Sequence, residues 1–196
     1  MLSGASQLHK HVQFLPLEDD APTERLAKRA KLEQPGMPTP LYYQTADAHA
    51  DVHFIIDKPF ALDVPYANFV LRLPSSTRDS SSSEVSQILG QAFMVLLDLV
   101  INNIRRQPDY PPGKPSYNVL LTLEHLHLIP RRQETHRLEA TGEELPVNAL
   151  GFAGMLLVKS DAELGAVKSE GVGKILSAVA CGEVDEIQCS RIESDL

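Results

Sequence analysis

The sequence predicts an α+β protein in which an antiparallel sheet packs against helices. The first observation is a pair of strand-like segments, residues 116–122 and 125–131, separated by a short turn, as is typical of a hairpin. The second is a long run over residues 83–106 with apolar side chains at helical spacing. The third is the β-branched and aromatic content of residues 52–56 and 68–73, which favours two further strands.

Composition and charge limit the class of protein. The 196 residues include 43% hydrophobic and 22% charged side chains, which is ordinary for a soluble globular protein. The formal net charge of −8 argues against a general binder of nucleic acid or acidic membranes, although it is compatible with a local basic pocket for phosphates. Cys181 and Cys189 fit neither a disulfide framework nor a zinc pattern, so we expect a reducing compartment. No signal peptide or membrane-spanning apolar run is predicted.

A polar strand is predicted close to the start of the chain, over residues 9–13. His9, His11 and Gln13 would share one face, because side chains alternate along a strand. A neutral imidazole is a good nucleophile near neutral pH, and a second polar group can orient it. The Gly/Ser-rich bend over residues 3–7 offers backbone N–H groups to an anion. The pattern indicates phosphate chemistry, with a polar edge strand lacking chemistry as the alternative.

The elements between this strand and the hairpin are less informative. Residues 22–34 predict a short amphipathic helix, whose basic run over residues 28–31 is better explained as a solvated face than as a nuclear-localisation signal. Residues 75–83 predict a mobile polar loop. Ser83 is the expected N-cap of the long helix, which ends in a pair of arginines that suit the helix dipole.

The predicted hairpin carries a second His-x-His pattern and an arginine. His125 and His127 would lie on one face and the alternating leucines on the other, as in a half-exposed strand. A metal site that combines them with His9 and His11 is not favoured, because nothing in the sequence fixes its geometry. Arg131 is expected either to contact phosphate oxygens or to lie exposed at a solvated strand end.

The last third of the chain predicts a strand and two short helices. Residues 134–144 read as a polar connection, and residues 147–159 as small residues followed by an apolar strand or edge segment. Residues 161–168 and 172–180 predict two closing helices. The acidic residues from 182 onward are expected to fray.

Several motifs together resemble one family. They are S-G-A-S-Q-L-H-K-H-V-Q near the start, S-Y-N-x-L-L-T at residues 116–122, I-P-R-R at 129–132 and N-x-L-G-F-A-G-M-L-L-V-K at 148–159. This order resembles the fungal diadenosine tetraphosphate phosphorylases, also called ATP adenylyltransferases, in the nucleotidyltransferase branch of the histidine-triad (HIT) superfamily. The resemblance runs from about residue 3 to 180 and is weakest over residues 18–50 and 75–83. It implies a HIT-like nucleotidyltransferase fold.

The resemblance also implies a domain organisation. Residues 1–112 would be the remaining part of the catalytic domain with the H-x-H-x-Q strand, and residues 113–190 the C-terminal ATP adenylyltransferase-type domain. In the family a long N-terminal part precedes the motif and carries further strands and nucleotide-binding residues. We therefore expect this fold to be incomplete, and the chain as written to bind nucleotide weakly and to turn over slowly or not at all.

The chemistry implied by the resemblance is a double displacement on diadenosine tetraphosphate. His11 would attack the α-phosphorus, ATP would leave, and inorganic phosphate would then release ADP from the nucleotidyl-histidine. Gln13 would hydrogen-bond a phosphate oxygen, and His9 would orient the site. The implied substrate-binding residues, besides Gln13, are Gly4, Ala5, Ser6, Gln7, Asn118, Thr122, Arg131, Gly151, Met155 and Lys159. For the last six except Arg131, a packed core position or an ordinary surface position is the alternative.

The expected partners are small-molecule nucleotides: diadenosine polyphosphates, ATP, ADP and phosphate. Neither nucleic acid nor a membrane is expected as a partner. No metal-ligand set is indicated, although Mg²⁺ would accompany a polyphosphate substrate. We expect a cytoplasmic location, with a nuclear one as a further option. Two alternatives to the main reading are a hexose-1-phosphate uridylyltransferase relative and a non-catalytic nucleotide-binding remnant.

Overall fold

The structure, a computed structural model, describes residues 58–184 and 190–192. The strands are β1 (Phe60–Leu62), β2 (Phe69–Arg72), β3 (Ser116–Leu121), β4 (His125–Arg131), β5 (Thr135–Arg137), β6 (Glu144–Pro146) and β7 (Ser190–Ile192). The helices are α1 (Ser82–Arg106), α2 (Ala149–Phe152), α3 (Asp161–Glu170) and α4 (Val172–Val179). A 3₁₀ turn covers Ser75–Arg78.

The main sheet has five strands in the order β3-β4-β2-β1-β7. Its first four strands pair antiparallel, and β7 pairs parallel with β1. Val119 of β3 lies opposite Leu128 of β4, and His127 of β4 lies opposite Val70 of β2. The predicted hairpin and the strand predicted over residues 68–73 are confirmed. The prediction of fraying from residue 182 is wrong for Ser190–Ile192, because these residues join the sheet.

Helix α1 begins two residues earlier than expected. Its N-cap is Ser81, not Ser83, and Ser81 forms a capping box with Glu84 in which each side chain accepts from the other's backbone N–H. The 3₁₀ turn and this cap occupy residues predicted to form a mobile loop. The serine-rich composition therefore marks a helix start rather than an irregular segment.

One face of α1 packs on the main sheet. Its buried side chains recur at helical spacing and meet leucines of β2 and β4; they are Ile88, Ala92, Leu96, Val100, Asn103 and Ile104. By length and composition α1 could also cross a membrane, since its most apolar 18 residues have a mean hydropathy of 1.6. The prediction that no apolar run reaches this length is therefore wrong. The predicted core packing of the apolar stripe is confirmed for its buried members, whereas Val95, also assigned to the stripe, is 40% exposed.

A second core lies on the other face of the sheet. It is formed by the β5–β6 hairpin, α2, α3 and α4, with Leu138, Leu145, Val147, Phe152, Val167, Ile175 and Val179 among its buried residues. The predicted closing helices are confirmed as α3 and α4. The polar connection predicted over residues 134–144 contains a small hairpin instead, because Leu138 and Leu145 bury its inner face.

The strand predicted over residues 147–159 is wrong. The segment begins with the short helix α2, because the Asn148 side chain accepts a hydrogen bond from the backbone N–H of Leu150 and caps the turn. Residues 155–158 have no regular structure.

Some predictions fall on residues that the structure does not describe: the strands over 9–13 and 52–56 and the helix over 22–34. They stay predictions. The division at residue 112 also stays a prediction, and strands from both sides of it, β2 and β4, pair in the main sheet.

Candidate functional site

Arg131 is the centre of a buried polar cluster at the end of β4. The end of β4 directs its side chain into the second core, where it is fully buried. The guanidinium donates to Asn118 Oδ1 at 2.6 Å and to the carbonyl oxygens of Val179, Gln133 and Val147 at 2.9–3.1 Å. Its carbon lies 4.9 Å from the centre of the Phe152 ring. One side chain thereby joins β3, β4, α2 and α4.

The burial of Arg131 excludes one of the two expectations for it. A solvated strand end is wrong, because no part of the residue is exposed. Burial lowers the pKa of the guanidinium to about 10, so it stays charged at neutral pH. Its donors are used on protein oxygens, so in this geometry the arginine holds the candidate site together. A direct contact with phosphate is not part of the described arrangement.

Asn118 and Gly151 flank this arginine. Asn118 is 8% exposed, and its amide oxygen accepts from Arg131. Gly151 is buried in α2, where a β-carbon would lie 2.9 Å from Val147 Cγ1 and 3.1 Å from Leu156 Cδ2. The glycine therefore allows α2 to approach the preceding and following segments closely. The structure brings these two predicted site residues and Arg131 into one cluster.

Met155 and Lys159 follow α2 and lie nearer the surface. Met155 is half-buried and Lys159 is exposed. The backbone N–H of Lys159 donates to the carboxylate of Glu163, which is buried at 1% exposure. The N–H of Glu163 in turn donates to Ser160 Oγ at 3.1 Å. Lys159 is thereby fixed at its backbone while its side chain faces solvent, as a contact to polyphosphate would require.

Glu163 positions the backbone of Lys159, and the sequence analysis did not identify it as a site residue. A signal for it exists, because Ser160 and Glu163 form the S-x-x-E pattern that marks a helix start. Here the glutamate reaches back one residue further, to the N–H of Lys159.

Thr122 lies apart from the Arg131 cluster, in the β3–β4 turn. Its hydroxyl accepts from the N–H groups of His125 and Glu124 at 3.0 and 3.3 Å. Its own N–H donates to the His125 carbonyl at 2.9 Å. These contacts close the turn, so the structure assigns Thr122 a local structural role and does not place it with Asn118, Gly151 and Arg131.

His125 and His127 are buried, which contradicts the expectation of a half-exposed strand. They are 1% and 2% exposed, and their ring centres are 6.0 Å apart. Burial lowers the pKa of His125 to about 4 and that of His127 to about 3. Both imidazoles are therefore neutral at pH 7. Within residues 58–184, no cluster of three His, Cys, Asp or Glu side chains is arranged to hold a metal ion.

A small cleft lies where α1 ends. It has a volume of about 60 Å³ and is lined by Gln107, Pro108, Asp109, Tyr110, Arg132 and Cys181. Nucleotide-sized ligands require roughly 300 Å³ or more, so this cleft cannot enclose one. Burial raises the pKa of the Cys181 thiol to about 11, which makes it a poor nucleophile at neutral pH. The predicted nucleophile strand and phosphate-binding bend, His9, His11, Gln13 and residues 4–7, lie outside the described residues.

Comparison with known families decides the relationship. Residues 62–182, more than half of the chain, match the family model of the ATP adenylyltransferase C-terminal domain. The chain belongs to this family. The match includes Asn118, Arg131, Gly151 and Met155 together with the helices that surround them. A search of curated protein sequences finds no significant match.

Solved structures of yeast Ap4A phosphorylase Apa2 share the fold. The Apa2 complex with AMP has a TM-score of 0.58 and 23% identity, and the match covers 98% of this chain and 54% of that one. The Apa2 complex with Ap4A has a TM-score of 0.56 and 22% identity, and the match covers 93% of this chain and 52% of that one. A third Apa2 structure matches with a TM-score of 0.50 and 26% identity over 62% of this chain and 38% of that one.

These comparisons and the structure confirm the predicted family and the predicted fold class, a largely antiparallel sheet with packed helices. The chain spans between 38% and 54% of the length of the Apa2 chains that it matches. The roles of the individual site residues stay predictions.

Proposed function

We propose that this chain is part of a nucleotidyltransferase that phosphorolyses diadenosine tetraphosphate to ATP and ADP. The observation that carries the proposal is the match of residues 62–182 to the ATP adenylyltransferase C-terminal domain in a chain that also has the H-x-H-x-Q sequence at residues 9–13. The likeness to Apa2, whose structures contain AMP and Ap4A, supports a nucleotide as the ligand.

In the proposed first step, a ring nitrogen of His11 forms a bond to the α-phosphorus of the substrate. The bond from that phosphorus to the bridging oxygen breaks, and ATP leaves with the electron pair. In the second step an oxygen of inorganic phosphate attacks the same phosphorus, the N–P bond breaks, and ADP is released. Gln13 and His9 would position the phosphate and the imidazole, and Mg²⁺ would enter as a companion of the polyphosphate substrate.

The described residues would contribute the wall of the site that follows β4. Lys159 has an exposed ammonium group to meet a phosphate, and half-buried Met155 has an apolar surface to pack on a base. Gly151, Asn118 and Arg131 would support this wall from beneath, because they are buried and joined to one another or to α2. Thr122 would take no part, since its hydroxyl closes the β3–β4 turn.

The test is a single-turnover labelling experiment, since it requires no sustained turnover. The chain is mixed with diadenosine tetraphosphate that carries ³²P at the α-phosphorus, quenched, and examined for protein-bound label. We expect label on the wild type and on the control variant Lys10→Ala, and none on His11→Ala. Label that persists in His11→Ala would contradict the proposal, and no label on any of the three proteins would favour the alternative of a non-catalytic nucleotide-binding remnant.

Base specificity separates the proposed activity from a uridylyltransferase. Unlabelled adenine and uridine nucleotides at equal concentration compete with the labelled substrate. ATP and ADP are expected to suppress labelling at lower concentration than UTP and UDP. The reverse order would assign the chain to the hexose-1-phosphate uridylyltransferase branch.

A further inference from the structure

The segment between α2 and α3 packs against the second core on one side only. We call residues 155–159 the strap, and they have no regular structure. Leu156 and Val158 are partly buried and pack against the second core. Leu157 is 72% exposed, and Lys159 is also exposed. Inward and outward side chains therefore alternate, and the strap presents Lys159 on its outer side.

Hydrogen bonds fix the backbone of the strap at both ends. At the first end, the N–H of Met155 donates to the carbonyl oxygen of Leu150 at 2.9 Å, which ties the strap to α2. At the other end, the N–H of Lys159 donates to the carboxylate of Glu163 on α3. The first anchor is a backbone oxygen, whereas the second depends on one side chain and can be removed by a single substitution.

The carboxylate of Glu163 is used differently from the matching group on α1. In the capping box of α1, the Glu84 carboxylate accepts from the N–H of Ser81, which is the N-cap residue. On α3 the N-cap is Ser160, but Glu163 accepts from the residue before it, Lys159. Ser160 Oγ still accepts from the Glu163 N–H at 3.1 Å, so α3 is capped without the carboxylate contact. The contact to Lys159 is directed at the strap.

Burial makes Glu163 a rigid anchor and keeps it away from a ligand. The residue is 1% exposed and lies one turn before the buried Ala166 and Val167. Among the described residues, no lysine, arginine or histidine forms an ion pair with it. Burying a carboxylate is costly unless it is hydrogen-bonded, so the bond from the Lys159 N–H holds the side chain in place. A group enclosed in this way acts on a ligand only through the residue that it holds.

We infer that Glu163 is a positioning residue of the nucleotide site. By fixing the Lys159 N–H, its carboxylate sets the point from which the Lys159 side chain reaches the phosphates of a polyphosphate ligand. The inference rests on the proposed function, which assigns Lys159 to phosphate. It adds a residue that touches no ligand to the determinants of nucleotide affinity. A displaced ammonium group contributes less, since charge-assisted hydrogen bonds require close and well-aligned geometry.

Charge and positioning predict opposite effects for this residue. A carboxylate near a phosphate site repels the ligand, so its removal would strengthen nucleotide binding if charge alone mattered. Loss of the anchor would instead weaken binding. Glu163→Gln removes the charge but keeps an oxygen that can accept from Lys159, and Glu163→Asp keeps the charge but shortens the side chain by one methylene group. The two variants therefore separate charge from reach.

Amide hydrogen exchange, followed by NMR of the full chain without ligand, tests the anchor. The Lys159 amide should exchange roughly tenfold faster in Glu163→Ala and Glu163→Asp than in the wild type, and at the wild-type rate in Glu163→Gln. The Met155 amide, held by Leu150, is the internal control and should be unchanged. Equal exchange of the Lys159 amide in all four proteins would overturn the inference.

Titration with ATP, followed by the chemical shift of the Lys159 amide, tests the effect on a ligand. We expect Glu163→Ala and Glu163→Asp to raise the dissociation constant for ATP roughly tenfold. Glu163→Gln should stay within about twofold of the wild type. Asp161→Ala is the matched control and should not weaken binding, because Asp161 is an exposed carboxylate in the same first turn of α3. Weakening by Glu163→Gln that equals the weakening by Glu163→Asp contradicts the inference, and this comparison holds even if Glu163→Ala does not fold.

A double-mutant cycle shows whether Glu163 acts through Lys159. Lys159→Ala keeps the backbone N–H but lacks the ammonium group. In that background Glu163→Ala should cause no further loss of ATP affinity. Losses that multiply in the double variant would show that the two residues act independently, which excludes a positioning role.

The titration does not depend on the His11 reaction and can be repeated in His11→Ala. The expected pattern at Lys159, in a chain that takes no label at His11, would support the inference and favour the non-catalytic alternative. Label at His11 without an ATP-dependent shift at Lys159 would contradict the inference alone. A chain that shows neither label nor shift would overturn the inference as well.

Discussion

Arg131 shows how one side chain can hold the C-terminal part of the candidate site. Its donors satisfy an amide oxygen on β3 and carbonyl oxygens before α2 and at the end of α4. Such an arginine is favourable only while its partners remain in place, because an unpaired polar group in a core is costly. The residue therefore couples the sheet to the segment that carries Gly151 and Met155.

Replacing Arg131 with methionine keeps the volume and removes every donor. We expect Arg131→Met to lower the free energy of unfolding by about 3 kcal/mol or more, since several buried acceptors lose a charged donor. Arg132→Met, a change of the next and partly exposed residue, should stay within about 0.5 kcal/mol. Urea denaturation followed by far-UV circular dichroism measures both. Equal effects of the two changes would show that Arg131 does not support the core.

The buried imidazole of His127 should make the stability of the folded protein depend on pH. Burial lowers the pKa of His127 to about 3, so the unfolded chain, with an ordinary histidine pKa near 6.5, binds more protons below neutral pH. Its contribution to stability is complete above about pH 6.5 and is lost as the pH falls toward the folded value, by up to ~1.4 kcal/mol per pH unit. His125, with a pKa of about 4, acts in the same direction.

The variant His127→Leu isolates this effect. We expect urea midpoints measured between pH 7 and pH 4.5 to fall less steeply for the variant than for the wild type. Carboxylates titrate in both proteins, so the difference in slope belongs to the histidine. Parallel pH profiles would show that His127 is protonated in the folded state as readily as in the unfolded one.

At the scale of elements, the N-terminus of α1 differs from the sequence prediction, because its N-cap is Ser81 and not Ser83. The side chain of Ser81 accepts the N–H of Glu84, whereas Ser83 lies within the first turn. Ser81→Ala should therefore cost about 1 kcal/mol, and Ser83→Ala should have little effect. Thermal unfolding of both variants distinguishes the two caps. A larger loss of stability for Ser83→Ala than for Ser81→Ala would contradict Ser81 as the N-cap.

Helix α2 depends on close packing at Gly151. Gly151→Ala should destabilise the protein by roughly 1–3 kcal/mol, because the new methyl group meets the stiff, buried Val147 side chain at 2.9 Å. Gly90→Ala is the matched control on α1, where a β-carbon meets nothing within 4 Å. It should stabilise the protein by roughly 0.5–1 kcal/mol, because alanine is the better helix former. Chemical denaturation that shows the same sign for both changes would contradict this packing.

Elements with a strong local signal could be predicted from the sequence, and those set by tertiary contacts could not. The β3–β4 hairpin has alternating β-formers and a turn closed by Thr122, and α1 has its repeat of buried residues; both are local. The strands β5 and β6 have only three residues each, and their pairing depends on burying Leu138 and Leu145 against helices that follow later in the chain. Composition alone carried no sign of that contact.

The same division holds for the candidate site in the whole molecule. Asn118, Arg131 and Gly151 could be named from motifs, but the structure shows that Arg131 faces inward, which depends on carbonyl oxygens contributed by α4 and by residues that precede α2. The burial of His125 and His127 likewise depends on neighbouring strands and could not be read from the alternation along β4. The residue types were predictable, whereas their orientation and partners were not.

The fate of the nucleotidyl group tests the proposed activity of the whole molecule most directly. Protein labelled by α-³²P diadenosine tetraphosphate is separated from free nucleotide and mixed with inorganic phosphate, and the released nucleotide is identified by chromatography. A phosphorylase that passes its covalent intermediate to phosphate should release labelled ADP, in an amount equal to the label lost from the protein. Release of labelled AMP alone, at a rate independent of phosphate, would contradict the proposed phosphorolysis.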